Sequence, residues 1–171
     1  GQVFRHQSWG LGIVHSLDTV TQKVVIDFEL MKKKELTLDG VRQFLARIPK
    51  DHFYAKLATA PAELKEFAFS DEAGLIRLAL RSFGPKQKVA DLKKTLTTRF
   101  LTEDEYKRWW NGAKEGIKLD PYLDLEGTGV NATLILRTQP RSFLDAVLHR
   151  ITNPKSMEDL RAATRDVSLH G

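Results

Sequence analysis

The sequence predicts an α+β chain. A small antiparallel β-barrel (residues 1–55) is followed by a mainly helical, winged-helix-like domain (56–140) and by C-terminal helices (141–171). Three observations predict this. Apolar and polar residues alternate with period two across residues 2–40, the mark of half-buried strands. From residue 70 onward the apolar residues recur at helical spacing. Three helical stretches then precede two strand-like runs around Gly127-Thr128-Gly129, which is the order of a winged helix-turn-helix.

In the first segment, Val24, Ile26 and Phe28 alternate with Val25, Asp27 and Glu29, and Leu36 and Leu38 alternate with Glu35, Thr37 and Asp39. Gly10 and Gly12 precede Ile13-Val14-His15, where two glycines mark a bend or a close backbone approach. Val41, Phe44, Leu45 and Ile48 have helical spacing, and Pro49 ends that run. Asp51 to Pro61 reads as the connection between modules.

Ser70 is the expected N-cap of the next helix, with Asp71 and Glu72 in its first turn and Leu75, Ile76, Ala79, Leu80 and Phe83 on its buried face. Gly84-Pro85 breaks the chain, and a second helix carries Val89, Leu92 and Leu96. The third helix has the clearest start signal. Thr102 and Glu105 have the spacing of a capping box, with Leu101 and Tyr106 as its hydrophobic staple. Tyr106, Trp110, Ala113 and Ile117 share its core face, and Gly116 is the expected C-terminal cap. Of the adjacent tryptophans, Trp110 is expected in the core and Trp109 partly exposed or packed on the hairpin, with core packing favoured for both. Pro121–Leu125 and Thr133–Leu136 form the hairpin. Two helices follow, one over 142–151 and one opened by Ser156 and Asp159.

Composition narrows the function classes. The chain has 171 residues, 42% of them hydrophobic, so it is globular. It has no cysteine, which removes disulfides, thiolate metal sites and cysteine nucleophiles and fits a reducing cytosol. No stretch approaches the roughly 18–20 apolar residues of a membrane span. The opening Gly1-Gln2-Val3 runs straight into a strand without an initiator methionine, as in a fragment of a longer protein. The net charge of +5 is mild and spread along the chain, which favours a protein partner over DNA. The five histidines show no metal-ligand spacing, and neither G-x-x-x-x-G-K nor G-x-S-x-G occurs. The expectation is a binding protein with no catalytic residue, cofactor, metal or small-molecule ligand.

The run Gly1-Gln2-Val3-Phe4-Arg5-His6-Gln7-Ser8-Trp9-Gly10-Leu11-Gly12-Ile13-Val14, continued by Val24 to Glu29 and by Lys34-Glu35-Leu36, follows a recognisable pattern. It resembles the Tudor-like (SH3-like) barrel of the UvrD/PcrA helicases, which contacts RNA polymerase. The barrel of the CarD-type regulators is a more distant relative. The whole chain, including Arg47 to Phe53 and Trp109 to Lys114, is similar to the long N-terminal extension of some bacterial Gre-family transcript-cleavage factors. That resemblance implies a docking module for RNA polymerase, with the β-subunit as the contact, in the bacterial cytosol. No long acidic-tipped helical hairpin is readable, so the cleavage-stimulating activity does not carry over.

Two groups of residues are candidates for binding. Arg5, His6, Trp9, Lys32, Lys33 and Lys34 would form the polymerase contact, since Arg and Trp dominate interface energetics and lysines steer association. Their structural alternatives are that Trp9 plugs the barrel end, that His6 bonds a backbone carbonyl, and that the lysine run is solvated. Lys86, Lys88, Lys93, Lys94 and Arg99 surround the second helix and would contact phosphates if the protein binds duplex DNA. The third helix, however, opens with Glu103-Asp104-Glu105, which repels phosphates.

Overall fold

The alternating residues of the N-terminal segment pair as an antiparallel sheet. In the computed structural model, which describes residues 1–142, it has five strands. These are β1 (Val3–His6), β2 (Gly10–Asp18), β3 (Lys23–Phe28), β4 (Lys34–Thr37) and β5 (Ala46–Ile48), in the order β4-β3-β2-β1-β5. These pairings leave β4 and β5 as edges, so the sheet is open. Val24, Ile26 and Phe28 are buried as their alternation predicts. The two glycines do what the sequence asks of them. Gly10 has φ +79°, and Gly12 lies opposite Phe28, where an added Cβ would stand 2.4 Å from the ring.

Two expectations between residues 36 and 48 are corrected. Leu38 does not continue the strand. The Thr37 hydroxyl accepts the Gly40 N–H at 3.1 Å and starts α1 (Leu38–Phe44). Ile48 is not on that helix either. Leu45 turns extended, and Ile48 pairs with Val3 across β1 and β5. Val41 and Leu45 enter the core under the sheet, while Phe44 stays 59% exposed.

The stretch read as a connection is helical. His52 caps α2 (Phe53–Thr59), and Pro61 opens α3 (Pro61–Ser70). Then α2 packs on the outer face of the sheet, where Ala55 clusters with Val3 and Leu11. Its first residue, Phe53, is fully buried in the helical core.

Helices α4 (Glu72–Phe83), α5 (Val89–Arg99) and α6 (Glu103–Leu119) follow as expected. The cap of α4 is Asp71, whose carboxylate accepts the Gly74 N–H at 2.7 Å. Ser70 instead ends α3, with its hydroxyl bonded to the Phe67 carbonyl. The capping box of α6 is formed as predicted. Thr102 N–H donates to Glu105 at 2.9 Å, and Glu105 N–H donates to Thr102 at 3.2 Å. Core packing holds for Trp109 but only in part for Trp110, the one expected to be the deeper of the two. Trp109 is 1% exposed, whereas Trp110 is only partly buried and stacks on Tyr106. Both 106/109/113/117 and 106/110/113/117 fit a 3.6-residue period, so spacing does not separate them. Gly116 does not cap the helix, which runs on to Leu119 with Asp120 beyond it. Gly116 instead lets α6 approach α4, since a Cβ there would lie 3.2 Å from the Cβ of Ala73.

A second sheet completes the described chain. β7 (Leu123–Glu126) and β8 (Thr133–Leu136) form the expected hairpin, and β6 (Lys86–Lys88) joins it in the order β6-β8-β7. Leu123 and Leu134 bury into one core with Leu75, Ile76, Leu80, Leu96 and Trp109. The helices expected after residue 142 lie outside the described residues.

Candidate functional site

The N-terminal candidates separate into two places. Arg5 and His6 are consecutive in β1, so their side chains leave opposite faces of the sheet. Arg5 is exposed and lines a surface groove of 600 Å³ with Gln7, Gln43 and Phe44. His6 and Trp9 stack, with ring centroids 3.9 Å apart and planes 12° apart. Trp9 also packs 5.4 Å from Phe28, and Lys34 Nζ lies 5.4 Å over its ring, a cation–π geometry. His6 Nδ1 accepts the backbone N–H groups of Ser8 and Trp9 at 3.1 and 3.2 Å, so the ring bonds to donors and not to a carbonyl. Lys32 and Lys33 project from the β3–β4 loop and are exposed. Lys33 has φ 48° and donates its N–H to Asp27 at 2.8 Å. The structure thus brings together His6, Trp9 and Lys34, with Lys32 and Lys33 alongside in the chain, and sets Arg5 apart.

The second group lies on β6 and α5. Lys86 is 4.0 Å from Glu126, and Lys88 is the exposed residue before α5. Lys93 pairs with Glu103 at 2.8 Å and lies 5.7 Å over the Tyr106 ring. Lys94 is exposed. The Nη1 of Arg99 donates to both oxygens of Glu29, at 2.7 and 2.8 Å, and so ties α5 to the first sheet. The same Glu29 carboxylate accepts the Leu11 N–H at 3.0 Å. Sequence reasoning missed this clasp, because its partners are 70 residues apart. It also passed over Leu30 and Met31, which are 77% and 40% exposed beside the lysine run. Their signal was two apolar residues standing outside the strand alternation.

A further groove of 760 Å³ lies among α2, α3 and α4, lined in part by His52, Lys56, Phe67, Arg77 and Arg81. Several of its polar groups are committed to the fold. Arg77 bridges Asp120 at 2.8 Å and Asp71 at 3.5 Å, and the Ser82 hydroxyl joins Phe53 N–H to the Leu78 carbonyl. Among the described residues there is no group of three or more His, Asp or Glu able to hold a metal, and no helix long and apolar enough to cross a membrane.

Residues 54–141, which run from α2 to the end of the second sheet, match the GRAD helix-turn-helix domain. The chain belongs to the GRAD helix-turn-helix domain family. It is also similar to the transcription elongation factor GreA of Chlamydia trachomatis serovar D, at 29% identity over 119 residues, and to that of Chlamydia pneumoniae, at 31% over 117 residues. These alignments cover 69% and 68% of this chain and 16% of each relative, so the chain spans about a sixth of their length. Each is longer than the GRAD match, so the likeness extends beyond the helix-turn-helix segment. The resemblance to Gre-family factors read from the sequence therefore holds. No solved structure matches the chain.

Proposed function

We propose that this chain is a docking part of a transcription elongation factor, acting by holding RNA polymerase and not by catalysis. The observation that carries this reading is the likeness to two factors named GreA across more than the helix-turn-helix segment. In this reading the five-stranded sheet is an SH3/Tudor-like module. Its strand order and the helix between β4 and β5 are compatible with that fold. The His6–Trp9–Lys34 cluster and the adjacent Lys32 and Lys33 make the contact, with the β-subunit as the expected partner and the cytosol as the place of action. The GRAD segment serves as a spacer or a second protein contact.

The family match favours a second reading, since helix-turn-helix domains commonly bind duplex DNA. Charge pairing argues against it. Of the five basic candidates, Lys86, Lys93 and Arg99 have carboxylate partners, and the helix after the turn begins with three acids. Phosphate binding draws its affinity from basic groups free to neutralise phosphates.

The deciding experiment measures binding of the purified chain to core RNA polymerase and to a random duplex, at about 0.15 M salt, where the screening length is roughly 8 Å. Polymerase binding that weakens in Lys34→Glu supports docking. Duplex binding alone, abolished by Lys88→Glu with Lys94→Glu, would replace docking by the DNA reading.

A further inference from the structure

The β3–β4 loop carries an exposed apolar pair that the docking residues named above do not include. Leu30 is 77% exposed and Met31 is 40% exposed. Single exposed apolar residues are ordinary. Val20, for instance, is 91% exposed at the β2–β3 turn, but it stands alone between Thr19 and Thr21. Leu30 and Met31 are consecutive, and they head the run Lys32-Lys33-Lys34.

The loop that presents them is also pinned. Phe28 N–H donates to the Met31 carbonyl at 2.9 Å, Glu29 N–H to that of Leu11 at 2.9 Å, and Leu30 N–H to that of Trp9 at 3.3 Å. Lys33 N–H is held by Asp27, and the Glu29 carboxylate by Arg99. A loop ordered in advance loses little conformational freedom on binding, so more of its apolar burial appears as affinity. Methionine adds adaptability to the contact.

We infer that Leu30 and Met31 are the apolar anchor of the polymerase-docking surface, and that they fit an apolar pocket rimmed by carboxylates. This rests on the docking reading given under Proposed function. The charge of the loop fixes the rim. Glu29 is the sole carboxylate between residues 28 and 34, and Arg99 neutralises it, which leaves Lys32 and Lys33 of the loop, and Lys34 at the start of β4, without a carboxylate partner among the described residues. A nucleic-acid strand asks for basic groups spaced along a backbone. Here the positive charge is gathered at one loop, and the chain beyond Arg99 soon reaches Glu103-Asp104-Glu105.

The test compares the intact chain with Leu30→Ser/Met31→Ser and with Lys32→Glu/Lys33→Glu. Binding kinetics are recorded on immobilised core RNA polymerase at low and high salt, with a random duplex in parallel. All four side chains are exposed, so an unchanged melting temperature is expected. Leu30→Gln/Met31→Gln replaces the first variant if serine lowers it. The apolar variant should bind polymerase roughly tenfold more weakly or worse at both salts, through faster dissociation. The lysine variant should lose association rate, mainly at low salt. Undiminished polymerase binding by the apolar variant overturns the anchor and leaves the docking reading intact. Absence of polymerase binding by the unaltered chain overturns both. An apolar variant that loses duplex binding while keeping polymerase binding makes the loop a nucleic-acid wedge and also overturns the proposal.

Discussion

At Gly12 the backbone of β2 passes directly against the Phe28 ring. An added Cβ would lie 2.4 Å from the ring Cδ1 and 2.7 Å from Ile26 Cγ2. Both neighbours are fully buried and have no free space to enter. Gly12→Ala should therefore overpack this core and cost about 1–3 kcal/mol. A lower urea midpoint with an unchanged slope would show it, and an unaltered midpoint would mean that the sheet can open at this point. The glycine was legible in the sequence because a glycine pair inside a strand has few other uses. Adjacency in the chain groups Arg5 with His6 as one contact, yet neighbouring residues in a strand face opposite sides, so alternation applied to that pair separates them. The choice between Trp109 and Trp110 was not, because both fit the helical period and only the packing of α6 against its neighbours decides. The Glu29–Arg99 clasp could not be read either, as no local pattern links residues so far apart in the chain.

At the scale of the element, local chemistry explains what was readable. The α6 capping box closes within four residues, so Thr102 and Glu105 announce it without any tertiary contact. The strands β5 and β6 are three residues each, too short for alternation to register, and exist because β1 and β8 offer partners. Helix α2 was hidden for another reason. Its cap is a histidine, whose Nδ1 accepts the Tyr54 N–H at 3.0 Å. Burial pushes the His52 imidazole below its ordinary value, with the charge of Arg5 acting in the same direction. Protonation would also place a proton on the nitrogen that caps the helix. A histidine held neutral in the fold contributes stability that is complete above its unfolded pKa of about 6.5. That contribution is lost as pH falls toward the folded value, because the unfolded chain takes up the proton first. Urea midpoints should therefore fall between pH 7.5 and pH 5.5, and less so in His52→Asn, which keeps a capping oxygen but does not titrate. Equal falls in both proteins would remove His52 as the cause.

For the whole molecule, the question is what makes the first sheet and the helices one unit. Among the described residues, one ion pair and one apolar seam join them. The Glu29–Arg99 pair is about 40% exposed on each side, at 39% and 41%, and exposed pairs contribute roughly 0–1 kcal/mol. The other link is α2, which buries Ala55 against Val3 and Leu11 while it anchors Phe53 among the rings of Phe83 and Phe100. Apolar burial at about 25 cal/mol per Å² makes this seam the stronger of the two. It also explains why Val3 and Leu11 are apolar on the face of the sheet that α1 does not cover. Arg99→Ala should therefore cost less than about 1 kcal/mol. Ala55→Asp, which forces an unpaired carboxylate into the seam, should cost about 3 kcal/mol or more. Hydrogen exchange separates a shared seam from a local defect. If α2 couples the two parts, Ala55→Asp lowers the protection of the Leu11 amide in the sheet and of the Leu80 amide in the helical core together. If protection falls only within α2, the sheet and the helices fold independently, and their relative orientation must come from the clasp.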